Sequence, residues 1–298
     1  MRERAGLWYN HGVKKPKGER GPEPRVRMKF DREIRYIDTD WGSMKLLLLR
    51  PREPRGKTPA VLWIHGGGYY EGMAEMALFS RARDAAQCGA LVVSPEYRLS
   101  VSEPYPAALE DCYTALLWLK EHAPELGADP EMLIVGGESA GGGLTAALCM
   151  LAKDRGGPEI RFQFPIYPML DCYDTDSSRD NHSLFWNTRR NHEGWQRYLG
   201  PLWGGEVPAY ASPSRREDLS GLPPCYTFVG DGEPFYCETV KYVEDLKKAG
   251  VQAEVDVYHV DIHAFDVMFP MNRVSKEARR AFIRHFTEAA GLKGDEDS

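Results

Sequence analysis

An α/β architecture, with a mostly parallel sheet covered by helices on both faces, is the fold this sequence predicts. Three observations predict it. Short apolar runs such as Ala60-Val61-Leu62-Trp63-Ile64 and Ala90-Leu91-Val92-Val93-Ser94 read as strands buried on both faces, as parallel sheets require. Segments with apolar residues at helical spacing lie between these runs, so strand and helix alternate along the chain. The length of 298 residues, with 42% hydrophobic and 28% charged residues, suits a single large domain spanning 1–298.

Residues 1–32 carry Gly, Pro, Lys and Arg with little periodicity and predict an N-terminal arm or cap element. Ile34-Arg35-Tyr36-Ile37 and the run Met44 to Leu49 follow as strands, with Trp41-Gly42-Ser43 turning between them. This pair predicts an antiparallel start to the sheet. Ala60 to Ile64 is the third strand, a helix is expected over Glu75 to Gln87, and Ala90 to Ser94 is the fourth strand. Ala108, Cys112, Ala115, Leu116 and Leu119 mark a helix over Pro106 to His122. Met132 to Val135, a helix from Leu144 to Leu151 and a strand around Phe162 to Ile166 continue the alternation. Periodicity then breaks between Tyr173 and Leu219, and an insertion of that length (173–219) predicts a lid. Cys225 to Val229 resumes as a strand. A helix from Tyr236 to Ala249 stops at the C-cap residue Gly250. Val251 to Val260 alternates as the eighth strand, and Arg273 to Ala290 forms a closing helix.

The 38 Lys and Arg against 44 Asp and Glu leave a net charge of −6, so no electrostatic footprint for nucleic acid or an acidic membrane is expected. The six cysteines (Cys88, Cys112, Cys149, Cys172, Cys225, Cys237) form no C-x-x-C pair and read as buried free thiols of a reducing compartment, with a disulfide the alternative that an even count leaves open. The first residues lack an apolar signal region and no stretch reaches membrane-spanning length, which predicts a cytoplasmic protein. His11, His122, His182, His192 and His285 match no metal-ligand spacing, so neither a metal nor an organic cofactor is expected. A homodimer is left open.

The chemistry gathers at the ends of the predicted strands. Gly137-Glu138-Ser139-Ala140-Gly141 lies between a strand and a helix, and G-x-S-x-G in that setting is a nucleophile elbow. A serine hydroxyl needs a base, and the base needs an orienting carboxylate. After Ser139 come the acids Asp231 and Glu233 behind one strand, then His263 behind the last. Glu233 precedes Pro234, which holds its backbone extended, and is the preferred acid. Asp231 sits between two glycines, suits a tight turn and is retained as the alternative. His259 falls within the last strand and is expected to be structural. Upstream, His65-Gly66-Gly67-Gly68 follows a strand and leaves backbone N–H donors unobstructed, so the amides of Gly67, Gly68 and Ala140 are the candidate oxyanion hole.

These stretches resemble the hormone-sensitive-lipase-like family of α/β-hydrolases, the bacterial carboxylesterases with an H-G-G-G motif. The likeness rests on His65–Gly68, on Gly137 to Gly142, on Glu96-Tyr97-Arg98-Leu99 with Pro104-Tyr105-Pro106-Ala107, and on Gly230 through Gly250. It runs from about residue 45 to 290. The resemblance implies an α/β-hydrolase fold with a small cap and a triad of Ser139, Glu233 and His263. Three departures stand out. The family's Asp-Pro is Glu233-Pro234 here. Its Ala-Pro-Glu after Tyr-Arg-Leu is replaced by Ser100-Val101-Ser102. Only about sixty residues precede the H-G-G-G stretch, so the N-terminal half of the cap looks abbreviated.

The function expected is a serine carboxylesterase that hydrolyses short-chain acyl esters, acetyl esters among them, through an acyl-enzyme. Its partner would be a small-molecule ester. Trp186, Trp195, Trp203, Tyr69 and Tyr70 either line the pocket as stacking surfaces for a sugar acetate or pack the lid. Two other functions stay open: a non-catalytic small-ligand-binding homologue, and an amidase or peptidase on the same fold.

Overall fold

The computed structural model describes residues 30–52 and 58–292. Its centre is one sheet of eight strands: β1 (Phe30–Thr39), β2 (Gly42–Pro51), β3 (Pro59–Ile64), β4 (Leu91–Pro95), β5 (Asp129–Glu138), β6 (Phe162–Ile166), β7 (Cys225–Gly230) and β8 (Ala253–Tyr258). They lie in the order β1-β2-β4-β3-β5-β6-β7-β8. The sheet is mixed. β1 pairs with β2, and β2 with β4, in antiparallel fashion, while every pairing from β4 through β8 is parallel.

The apolar runs make physical sense on this sheet. Side chains alternate between its faces, so a strand buried on both sides needs apolar residues throughout. In β2, Leu46 and Leu48 enter one core while Leu47 and Leu49 enter the other. Two helices, α2 (Ala107–His122) and α3 (Ala140–Asp154), cover the first face together with α5 (Tyr236–Lys248). On the opposite face lie α1 (Arg81–Gln87) and α7 (Arg273–Ala289), whose Phe282 and Phe286 pack against Phe164 of β6.

Several local expectations need correction. The helix expected over Glu75 to Gln87 is two pieces, a 3₁₀ turn at Ala74–Leu78 and then α1, which Ser80 caps by accepting from the Ala82 N–H at 3.2 Å. A serine hydroxyl that satisfies an orphan amide starts a helix, which the apolar periodicity could not reveal. The last strand is shorter than Val251 to Val260, and Val257 is exposed because β8 is the sheet edge. Residues 173–219 hold a helix that periodicity did not disclose, α4 (Thr188–Leu199), capped by the Asn187 side chain. Of the segment expected as an N-terminal arm, 1–29 lie outside the described residues, and 30–32 open β1. All six cysteines are free thiols; Cys88 and Cys237 are only partly buried.

The first turn of α3 sits unusually close to the end of β3. A Cβ added at Gly141 would lie 2.1 Å from the Ile64 carbonyl oxygen and 2.5 Å from that of His65. Backbone cannot yield there as a flexible side chain would. Gly141→Ala should therefore cost about 2–3 kcal/mol through overpacking, seen as a lower urea midpoint with an unchanged slope.

Candidate active site

Four strand ends converge at the carboxyl edge of the parallel sheet, where open α/β sheets bind their ligands. The β5–α3 junction holds Ser139, whose backbone adopts φ 57° and ψ −119°. That conformation is strained for a residue with a side chain and persists only where the surroundings over-determine it. Here the Ser139 N–H donates to Ile166 O, and Ser139 O accepts from the Gly143 and Met169 amides, all at 3.0 Å.

The loop after β8 brings His263 to this serine. Its Nε2 lies 2.9 Å from Ser139 Oγ, and its Nδ1 hydrogen-bonds Glu233 Oε2. With Nδ1–H donated to the carboxylate, the Nε2 lone pair faces the serine hydroxyl. The other oxygen, Glu233 Oε1, accepts from the Gly230 N–H at 2.9 Å, so the carboxylate is tied back to the end of its own strand. Glu233 is 0% exposed, His263 5% and Ser139 7%, which keeps the relay away from bulk water. Tyr167 and Phe235 stand edge-on to the imidazole, with ring centroids 5.0 and 4.9 Å away.

Asp231, the alternative acid, is not part of this relay. It is exposed, and its Oδ2 pairs at 2.9 Å with Nδ1 of His259, just beyond β8. His259 itself is exposed and not a core residue of the strand. The longer Glu side chain reaches the imidazole because Gly230, Gly232 and Glu233 form a compact turn, closed by Gly232 N–H to Val260 O at 3.0 Å and Glu233 N–H to Gly230 O at 3.4 Å.

The end of β3 supplies the glycine turn. Gly66, Gly67 and Gly68 line the same cavity as Ser139 and His263, a space of about 450 Å³. The Gly67 carbonyl accepts from the Tyr70 and Glu71 amides, which folds the turn back on itself. Among the described residues the amides of Gly67, Gly68 and Ala140 donate to no protein acceptor. Gly68 has φ +57°, and a Cβ there would meet the Trp186 ring at 2.2 Å, so both its conformation and its neighbour require glycine. His65 is buried and neutral. Burial pulls its pKa down to about 4, its Nδ1–H donates to Gly66 O at 2.7 Å, and its ring stacks on Tyr97.

The aromatic residues divide. Trp186 lines the cavity. Tyr69 and Trp195 are buried packing residues, Tyr69 stacked on Tyr198 with centroids 3.8 Å apart. Tyr70 packs beside Trp186, and Trp203 does not line the cavity. Met76, Phe79, Phe185, Val267 and Met268 make the remaining wall largely apolar. No cluster of three or more His, Cys, Asp or Glu among the described residues could hold a metal. No described helix is long and apolar enough to cross a membrane.

A buried ionic chain behind the site escaped the sequence reading. The Tyr167 hydroxyl donates to Asp266 Oδ1 at 2.9 Å, and Asp266 Oδ2 lies 3.3 Å from Arg81 Nε. Arg81 Nη1 contacts Asp84 Oδ2 at 2.8 Å, and Arg279 Nε donates to Asp84 Oδ1 at 2.8 Å. Burial opposes the charge on Arg81, but Asp266 and Asp84 outweigh it and the guanidinium is held more firmly protonated. Glu138, beside Ser139, joins through the Arg81 N–H (3.1 Å to Oε1), and its Oε2 accepts from Trp63 Nε1 at 2.7 Å. One signal was available. A carboxylate that ends a strand just after the buried run of Leu133, Ile134 and Val135, as Glu138 does, must find partners when buried.

A family model described as the alpha/beta hydrolase fold matches residues 61–267. "Esterase LipI" of Mycobacterium tuberculosis is 33% identical over 213 residues, covering 71% of this chain and 67% of that protein. "Ethyl acetate hydrolase" of Pseudomonas putida is 29% identical over 259 residues, covering 84% and 79%. Among solved structures, "Bacterial Heroin Esterase" superposes with a TM-score of 0.84 at 32% identity, covering 91% of this chain and 87% of that one.

Glu138 gives the site a pH signature. Burial raises its carboxyl from 4.5 to about 7, so between those values the native state holds a proton that the unfolded chain releases. Stability contributed by that proton is complete below 4.5 and is lost as pH rises through 7. Relative to Glu138→Gln, the wild type should lose about 3 kcal/mol between pH 4.5 and 8, read from paired urea unfolding curves. Curves that stay parallel across that window would contradict it.

Proposed function

This chain belongs to the α/β-hydrolases, in their hormone-sensitive-lipase-like branch, and from that premise we propose that it is a serine carboxylesterase cleaving short-chain acyl esters through an acyl-enzyme. The observation that carries the reading is the buried relay Ser139–His263–Glu233, with Nε2 of the imidazole 2.9 Å from the serine hydroxyl.

The geometry supports the following steps. Ser139 Oγ attacks the ester carbonyl carbon as its proton passes to His263 Nε2, and the carbonyl π electrons move onto oxygen. The resulting oxyanion is held by the amides of Gly67, Gly68 and Ala140. When the tetrahedral centre collapses, the C–O bond to the alcohol breaks and the departing oxygen takes the proton from Nε2. Water then attacks the acyl-enzyme, again losing a proton to His263. The second collapse releases the acid and returns the proton to Ser139 Oγ. Glu233 stays a carboxylate throughout, holding the imidazole in one tautomer and stabilising its cationic form.

The short acyl preference rests on Trp186. Its ring lies against Gly68 and 6.4 Å from the His263 ring centroid, where it bounds the cavity next to the reacting atoms. The name of the Pseudomonas relative, an ethyl acetate hydrolase, agrees with a small acyl group. The segment 173–219, which supplies Phe185, Trp186 and Arg190 to the cavity wall, is assigned as its lid.

With p-nitrophenyl acetate as substrate, Ser139→Ala should lower turnover roughly 10⁴–10⁶-fold. Glu233→Gln should cost far more than Asp231→Asn, and the reverse order would move the orienting role to Asp231. A wild type inactive on every p-nitrophenyl ester from acetate to octanoate would reject the esterase reading. Trp186→Ala, by opening the wall beside Gly68, should shift the optimum from acetate or butyrate toward hexanoate and octanoate. An unchanged acyl profile would remove Trp186 from that role.

A further inference from the structure

The wall of the catalytic cavity is largely apolar, yet one strong cation stands in it. Arg190, in the first turn of α4, lines the space that holds Ser139 and His263. Its backbone is fixed by the Asn187 side chain, which accepts the Arg190 N–H at 3.2 Å. Its guanidinium is oriented by an Nη1–H donated to Phe185 O at 3.0 Å and lies 5.8 Å from the Trp186 ring centroid. Those contacts occupy one edge of the planar group and leave other N–H donors uncommitted.

What sets Arg190 apart is the lack of a carboxylate. Among the described residues, the other partly or fully buried arginines all have one within ion-pair distance. Arg35 and Arg50 have Glu33, Arg81 has Asp84 and Asp266, Arg98 has Asp111, and Arg216 has Asp154. Arg190 has none. Its place in the fold also runs against local electrostatics. The first turn of a helix favours negative side chains, whereas α4 has no acid there and carries Arg189 and Arg190 instead. A half-buried cation, locally disfavoured, oriented and left without its usual partner, is suited to an anion that arrives from outside.

Taking the esterase reading of the same cavity as its basis, we propose that Arg190 recognises a carboxylate on the substrate, so that the preferred esters are half-esters of dicarboxylic acids or O-acylated hydroxy acids, each keeping one free carboxylate. A carboxylate matches the fork of a guanidinium. Glu71, exposed at the same cavity, opposes negative charge, and it would penalise a dianionic phosphate about twice as much as a carboxylate. The charge must therefore sit on the Arg190 side of the mouth.

The test compares matched esters by pH-stat. Monoethyl succinate is set against ethyl butyrate for charge on the acyl side, and acetoxyacetate against acetoxyacetamide for charge on the alcohol side. Each pair is run with wild type, Arg190→Gln and Glu71→Gln. In one pair the wild type should favour the anionic member by about tenfold in kcat/KM, an ordinary gain for a charge-assisted hydrogen bond. Arg190→Gln should bring that ratio to about one, mainly through KM, and Glu71→Gln should raise it. The pair that responds tells which side carries the charge. The proposal is overturned if neither pair favours the anion, or if Arg190→Gln slows charged and neutral esters equally. If wild type cleaves none of these esters nor p-nitrophenyl acetate, the esterase reading itself fails. Normal cleavage of neutral esters without an anionic preference overturns the role of Arg190 alone.

Discussion

The site depends on one close approach, that of the first turn of α3 to the end of β3. Gly141 leaves no room even for a methyl group against the Ile64 and His65 carbonyls, so glycine there lets the strand that ends in Glu138 turn at once into a helix packed this close to β3. Ser139 takes the strained conformation that this turn imposes and is held there by three backbone hydrogen bonds. The same approach sets the glycine turn after β3 beside the serine, since a Cβ on Gly66 would lie 3.2 Å from Ser139 Cβ. One packing constraint thus sets both Ser139 and the glycine turn beside it.

The remaining parts are positioned by charge. Asp266 lies three residues beyond His263, and Glu138 immediately precedes Ser139. Arg81 ties the two regions together, one through its guanidinium and the other through its backbone N–H. Burying so many ionisable groups is costly unless each is partnered, and here each carboxylate has a donor or a cation. Truncating one member would leave a buried charge behind. The chain of contacts from Arg279 at the surface to Tyr167 at the imidazole therefore behaves as a unit.

Much of the architecture was legible because the sheet is parallel over most of its width. Strands buried on both faces leave an unmistakable apolar run, and all eight were placed, with Phe162–Ile166 matching to the residue. The residues of the relay were legible for a related reason. They sit where such runs stop, so Ser139, Glu233 and His263 were picked out by position and are found in mutual contact. What stayed hidden was decided by single polar contacts or by distant packing. Ser80 divides one helix and Asn187 begins another, each through one hydrogen bond. Tyr167 and Asp266 meet across a separation of 99 residues that no local pattern encodes.

The relay joins residues far apart along the chain: His263 and Ser139 are 124 positions apart, His263 and Glu233 are 30. Each stands at the end of a different parallel strand, so none meets another until β5, β7 and β8 are aligned in one sheet. Helices form quickly from local contacts, whereas alignment of distant parallel strands is slow. The contact of Ser139 with the imidazole is thus a property of the finished sheet and of no fragment of it. A chain in which β8 has not docked cannot bring His263 Nε2 to the Ser139 hydroxyl, so the hydrogen bond between them forms only with the last strand.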